Sequence, residues 1–349
     1  MRGVIRSIRP LVEPRKMIMT GTPVSESPMN AFPILQILSP DKLPSRARFD
    51  RHFVMRPGQP GQSAVYSNLG DLKRMLESVS VRRLKADIQG MPEKTENVRF
   101  CTPTGEQAYH YGEIMKGILA EIEGDPDWAR TLDIACVKLL RCRQVLNHPS
   151  ILELSGESGK YLELDNVLEE ILSNPDAKVV IWTEWNAAVD LLVNRYNCYG
   201  TIAIDQRTSQ DELRRMAREF DSSRQRVAIA TPAKGGTGID FLSRARTAIY
   251  VERTYSLVNF RQSIDRIIRR VPDDSANDAH ETIRINRIKR SPATIVYLHV
   301  SDSVDDIVGW VLQRKLDLGD ALLTSDEKLL ADGKEHLMRM LYERTRLDA

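Results

Sequence analysis

A regular alternation that begins near residue 161 constrains this chain more than any other feature. Short apolar runs of strand length, at residues 178–183, 201–204, 226–231, 247–251 and 294–300, are separated by stretches with apolar residues at helical spacing. Leu162, Leu164, Val167, Leu168, Ile171 and Leu172 form the first stretch. Ala187, Ala188, Leu191 and Leu192 form the second, and Leu213, Met216, Ala217 and Phe220 the third. Ser209 and Glu212 fit a capping box at the start of that third helix, and residues 258–270 read as a further helix. Runs that are apolar at consecutive positions belong to strands buried on both faces, so strand–helix alternation predicts an α/β unit with a parallel sheet covered on two sides. Ligands of such sheets bind beyond the carboxyl ends of the strands. That directs attention to the segments after Thr183, Ile204, Thr231 and Val251.

Residues 41–160 lack this rhythm. Leu69, Leu72, Met75 and Leu76 give one amphipathic stretch, and residues 134–143 another, so the region reads as an α-helical insertion rather than a sheet. A length of 349 residues predicts two or three units. Fifty basic residues against 48 acidic ones exclude a polybasic or an acidic-tail protein. The balance is uneven along the chain, however: residues 1–99 carry 17 Lys/Arg against 9 Asp/Glu, and residues 244–290 carry 11 against 6. Basic segments in a near-neutral chain suit an anionic partner held at particular places. Cys101, Cys136, Cys142 and Cys198 never approach a C-x-x-C spacing and read as reduced thiols, not a zinc ribbon or a disulfide framework. No apolar run reaches 18 residues, and residues 1–6 lack the apolar core of a signal peptide, so a soluble cytoplasmic protein without a membrane partner is expected.

Three segments carry chemistry. Thr231-Pro232-Ala233-Lys234-Gly235-Gly236-Thr237-Gly238-Ile239-Asp240 follows a strand. Its glycines suit either a tight turn or a close backbone approach to phosphate. In Gln262-Ser263-Ile264-Asp265-Arg266-Ile267-Ile268-Arg269, the two arginines lie three apart on a helix and share a face, as a phosphate clamp or as a solvated face paired with Asp265. Lys16-Met17-Ile18-Met19-Thr20-Gly21-Thr22-Pro23 reads as an apolar strand ending in a hydroxyl-rich turn.

In this order the three segments resemble motifs V, VI and III of the Swi/Snf-type superfamily-two helicase-like ATPases, with motif III leading in the chain. Arg82-Arg83-Leu84-Lys85-Ala86-Asp87 before Met91-Pro92-Glu93-Lys94 is similar to the family's Arg-Arg-x-Lys-x-Asp element. Leu140-Arg141-Cys142-Arg143-Gln144 with Asn147-His148-Pro149 is similar to its Leu-Arg-Gln…Asn-His-Pro element, and residues 178–185 resemble motif IV. The resemblance covers roughly residues 15–320. This chain has Lys234 where the family usually has Ala, Tyr255-Ser256-Leu257 for Trp-Asn-Pro, and Ile268 for the His of motif VI.

The resemblance implies a RecA-like parallel sheet covered by helices on both faces over residues 158–318. A remnant of the first lobe (residues 1–40) and a mostly α-helical region (41–157) precede it, and a helical tail (319–349) follows. It implies ATP and Mg²⁺ as cofactors and double-stranded DNA as partner. Arg269 becomes the arginine finger and Arg266 a second phosphate contact, with Gln262, Gly238 and Asp240 also at the nucleotide. Thr183, Thr231, Lys234, Gly235, Gly236, Thr20, Gly21 and Thr22 fall on the DNA side. His148 is read as a structural helix terminus, and Trp182 and Trp185 as core packing. The 349 residues contain no G-x-x-x-x-G-K-[ST] and no Asp-Glu pair ending an apolar strand. The expectation is therefore the C-terminal half of a translocase whose P-loop lobe, the holder of Mg²⁺, comes from a second chain. The alternatives are an ATP-independent DNA- or protein-binding remnant and a truncated reading frame.

Overall fold

The protein is described from a computed structural model covering residues 16–21, 23–24, 27–40, 45–57, 65–81, 91–124, 128–221, 224–236, 238–269 and 292–324. Thr22, Thr237, the Arg82–Asp87 element, residues 271–291 and the tail beyond 324 lie outside the described residues. The chain divides into two units. One comprises residues 1–83, 256–258 and 310–349; the other comprises residues 84–255 and 259–309.

The smaller unit is helical. Helices α1 (Ala31–Leu38), α2 (Arg46–Phe53) and α3 (Leu69–Glu77) accompany a short antiparallel pair, β1 (Val54–Arg56) and β2 (Val65–Tyr66). Phe49 and Phe53, four apart on α2, point to one side with ring centroids 4.5 Å apart, and Phe49 meets Phe32 of α1 at 5.1 Å. Leu35, Leu72 and Leu76 complete this core. Ser45 caps α2 by accepting from the Arg48 N–H at 3.3 Å. The strand expected at residues 16–19 is absent: the segment is irregular, with Met17 and Met19 over four-fifths exposed. Within residues 1–40, read as a first-lobe remnant, Val24, Ala31, Phe32 and Leu35 are buried in the helical core. An amphipathic helix finds apolar partners locally, whereas a lone strand needs a neighbour to satisfy its backbone.

The larger unit is the predicted α/β layer structure. Its elements run β3 (Lys94–Phe100), α4 (Gly105–Gly124), α5 (Trp128–Asn147), α6 (Gly159–Leu172), β4 (Val179–Trp182), α7 (Asn186–Tyr196), β5 (Thr201–Ile204), α8 (Gln210–Asp221), β6 (Val227–Ala230), α9 (Pro232–Gly235), β7 (Thr247–Tyr250), α10 (Leu257–Ile267), β8 (Ala293–His299) and α11 (Val304–Thr324). Six strands form one sheet in the order β3-β8-β7-β4-β6-β5, and every pairing is parallel. Val179 of β4 sits between Val227 of β6 and Thr247 of β7. All residues of β4 and β6 are buried, as unbroken apolar runs require. The Ser209 capping box is present: the Glu212 carboxylate accepts from the Ser209 N–H at 2.7 Å, and the Glu212 N–H donates back to Ser209 Oγ at 3.3 Å.

One strand escaped the sequence reading. The stretch expected to be helical insertion contains β3, which pairs with β8 from Lys94↔Ala293 to Phe100↔His299. All seven of its residues are exposed. An edge strand carrying Lys94, Glu96 and Arg99 has no apolar periodicity to detect, and its charges belong to the ordinary protection of sheet edges.

Candidate functional site

From β4 the chain goes to β5 and returns to β6 on one side, then places β7 and β8 on the other. The crevice of such a sheet therefore opens at the carboxyl ends of β4, β6 and β7. Those ends carry Thr183, Thr231 and Glu252, all buried. Glu252 accepts from Thr183 Oγ1 at 2.8 Å and from the Glu184 N–H at 2.5 Å, while its other oxygen accepts from Asn147 Nδ2 at 2.5 Å. Burial pushes its carboxyl up to about 7, against the backbone N–H of Glu184 and the nearby Lys160, which pull it down. Lys160, itself fully buried, donates to the Val251 carbonyl at 2.9 Å and pairs with Asp305 at 2.7 Å. Beside it, Arg143 donates to Glu184 and to the Arg253 carbonyl, both at 2.8 Å, and lies over the rings of Tyr255 and Trp185. The Arg143…Asn147 stretch of α5 thus ties the helical segment to the β4 and β7 edges. The sequence reading found this element but gave it no role. Its signal was two polar side chains four apart, on one face of the helix end.

The arginine pair forms a second cluster. Arg246, the residue before β7, donates to the carbonyls of Ile267 at 3.3 Å and Arg269 at 3.1 Å. The end of α10 therefore lies toward the amino ends of the strands, a helix length from the carboxyl edge. There Arg266 Nε donates to the Gly236 carbonyl at 3.0 Å, and one guanidinium nitrogen reaches Asp240 Oδ1 at 3.1 Å. Arg269 donates to the same carboxylate oxygen. The side chains of Arg266, Arg269 and Asp240 are 17%, 45% and 70% exposed, so the pair is held but reachable. Burial and the neighbouring Arg269 lower the proton affinity of Arg266. Gln262 lies one turn earlier on α10, half-buried, and the Gly236 backbone approaches it and Ser263. Gly238 has φ +68° and faces open space, a conformation that favours glycine. The structure brings Arg266, Arg269 and Asp240 together, with Gly236 and Gln262 beside them.

The residues assigned to the DNA side part company. Thr183 is fully buried with its hydroxyl given to Glu252, and Thr231 is 3% exposed, so neither side chain is presented to a duplex. Gly235 and Gly236 are buried as well. A Cβ on Gly235 would lie 2.7 Å from the Trp182 ring, and one on Gly236 would lie 2.4 Å from the Pro232 carbonyl oxygen. Neither position has room for a side chain. Trp182 is fully buried and stacked on Tyr250, with centroids 6.2 Å apart, as a core residue. Lys234 is half-buried, and Thr20 and Gly21 are exposed in the smaller unit. His148 ends α5 and caps the next turn, its Nδ1 accepting from the Ser150 N–H at 3.1 Å. Among the described residues no group of three His, Cys, Asp or Glu side chains could hold a metal ion, and Cys101, Cys142 and Cys198 are unpaired. Among them, too, no helix is long and apolar enough to cross a membrane.

Comparison with known proteins agrees with this layout. Residues 4–151 match the SNF2-related domain, and residues 160–271 match the helicase conserved C-terminal domain. The ATP-dependent DNA helicase DDM1 of Arabidopsis thaliana is 23% identical over 297 residues, covering 76% of this chain and 38% of DDM1. The ISWI chromatin-remodeling complex ATPase CHR17 of the same plant is 25% identical over 253 residues, covering 67% of this chain and 23% of its own length. The chain thus spans well under half the length of these relatives. Among solved structures, the Sulfolobus solfataricus SWI2/SNF2 ATPase core in complex with dsDNA superposes with a TM-score of 0.51 at 21% identity, over 89% of this chain and 63% of that one. The C-terminal part of the Fun30 ATPase domain gives 0.51 at 16% identity, over 72% and 99%. These likenesses establish the RecA-like helicase-lobe fold. With two adjoining family models matched across most of its length, the chain belongs to the SNF2-related, helicase-like ATPase family.

Proposed function

We propose that this chain supplies one wall of an ATP site and part of the duplex-DNA grip of a Swi/Snf-type translocase. The observation that carries the proposal is the cluster of Arg266 and Arg269, reachable and held together by one exposed carboxylate, in a sequence with no P-loop. On this reading Arg269 stabilises the charge that develops on the γ-phosphate, and Arg266 orients the phosphate chain. An arginine finger is worth about 10³–10⁵ in rate, or roughly 4–7 kcal/mol of barrier. Mg²⁺, when bound, would neutralise charge on the phosphates, and in our proposal a P-loop lobe supplied by a second polypeptide would hold it. Gln262, Gly238 and Asp240 line the nucleotide edge, and Lys234, Thr20, Gly21 and Thr22 serve the DNA side. Residues 158–318 form the body of the helicase lobe, to which region 41–157 adds β3. Residues 1–40 correspond to the end of the first lobe, and residues 319–349 form a tail that lies outside the described residues beyond 324. Such a protein acts where duplex DNA is, the nucleoid or a phage-infected host cytoplasm in a bacterial setting.

The test mixes the chain with a P-loop-bearing SNF2-related lobe and measures ATP hydrolysis with and without duplex DNA. DNA-stimulated turnover that disappears with Arg269→Ala supports the proposal. Vigorous hydrolysis by the chain alone, or an active mixture indifferent to Arg269→Ala, refutes it.

A further inference from the structure

Helix α2 has an outer face that the site described above does not use. Phe49 and Phe53 fix its inner side, and at 100° per residue the opposite side falls on Ala47, Arg48 and Arg51. Arg48 and Arg51 are exposed and three apart, which puts their Cβ atoms about 5–6 Å from each other. Arg56 follows on β1, also exposed. Among the described residues none gives any of these three guanidiniums a side-chain partner. Their neighbours are already committed: Asp50 to Arg46, and Asp71 to Arg74 and His52. Three unneutralised arginines within nine residues therefore stand in the segment of the chain where basic residues outnumber acidic ones most.

We propose that these arginines, Arg48 and Arg51 on the outer face of α2 and Arg56 on the strand that follows it, form a phosphate-backbone contact for duplex DNA, additional to the motif residues of the larger unit. Guanidinium forks match phosphate oxygens in pairs, and successive phosphates along a strand lie within reach of arginines one helical turn apart. Besides Arg48 and Arg51 the outer face of α2 carries only Ala47, so it lacks the apolar centre that a protein partner would bury. Contacts of this kind carry no base sequence and act through counterion release. The inference rests on the reading that the chain engages duplex DNA.

The experiment is fluorescence anisotropy of the full chain with a labelled random-sequence duplex over a range of salt concentrations. The variants are the triple Arg48→Ala, Arg51→Ala, Arg56→Ala, its triple-Lys counterpart, and a control that removes three exposed arginines from α8 (Arg214→Ala, Arg215→Ala, Arg218→Ala). Thermal melts confirm that each variant is folded. The first triple is expected to flatten the plot of log K against log salt by about 2–3 and to weaken binding at least tenfold near 0.1 M salt. The Lys triple should keep most of the slope and the α8 control nearly all of it. Equal slopes for wild type and the first triple overturn this contact while leaving the DNA reading intact, and so does an equal loss in the α8 control. Wild type that does not bind duplex DNA takes down both. Tighter binding to poly-glutamate than to DNA, lost in the first triple, gives the face to an acidic protein and overturns the proposal.

Discussion

Replacing Glu252 with Gln should remove a pH dependence of stability that the structure builds into the crevice. The carboxyl is fully buried, and burial raises its proton affinity from the ordinary 4.5 to about 7. The charged groups facing it are Lys160 and Asp305 on one side and Glu184 with Arg143 on the other. Between those two pH values the folded protein holds a proton that the unfolded chain has released. Stability is therefore full below about pH 4.5 and is lost as pH rises through about 7. At about 1.4 kcal/mol for each tenfold change in proton affinity, the loss comes to about 3 kcal/mol. His148 works in the opposite sense. Burial lowers its proton affinity below the ordinary 6.5, so its contribution is lost as pH falls through that range. The difference between wild type and Glu252→Gln cancels the histidine. Urea unfolding followed by tryptophan fluorescence, to which buried Trp182 contributes, at pH 5 and pH 8 measures it. Wild type should lose about 3 kcal/mol more than the variant over that span. Parallel pH profiles would refute the reasoning, because they would mean that Glu252 is charged in the native state throughout.

Further expectations concern the arginine cluster and the glycine loop. Arg269→Ala should lower turnover in the reconstituted ATPase by about 10³–10⁵ while leaving most nucleotide binding intact, measured by separate kinetic and equilibrium titrations. Asp240→Asn should cost less than about 1 kcal/mol of stability, because its carboxylate is 70% exposed. By releasing Arg266 and Arg269 it should also lower the KM for ATP. Gly235→Ala drives a Cβ to 2.7 Å from the Trp182 ring and should cost about 1–3 kcal/mol, a fall in Tm of several degrees. Gly238→Ala meets open space but must hold φ +68°, so it should cost about 1–2 kcal/mol, and Gly238→Asn less.

The parallel sheet was legible because its interior strands are buried on both faces, and unbroken runs such as 179–182 and 227–230 say so directly. The edge strand β3 was hidden for the same physical reason in reverse: a strand that buries nothing leaves no apolar period. The arginine cluster could be read because Arg266 and Arg269 fall on one helix face, and the structure adds the carboxylate that joins them. The packing of Gly235 was not legible, since a glycine needed for tight packing beneath Trp182 and one needed for phosphate contact look identical in sequence. Thr183 misled likewise: its commitment to Glu252 and Asn147 depends on residues 69 positions after it and 36 before it. The apolar reading of residues 16–19 as a strand failed because no strand among the described residues pairs with it, and helices α1 to α3 bury their apolar faces without it.

The pairing of β3 with β8 sets a timetable for biosynthesis. Lys94 must wait for Ala293, roughly two hundred residues later, before its ladder can close. While the ribosome makes the intervening stretch, the flank of β7 that β8 will cover stays open, and loop-closure entropy makes this docking a late and slow event. A ribosome stalled anywhere short of residue 293 would leave a hydrophobic sheet with an unfinished border, the kind of nascent species that chaperones must shield.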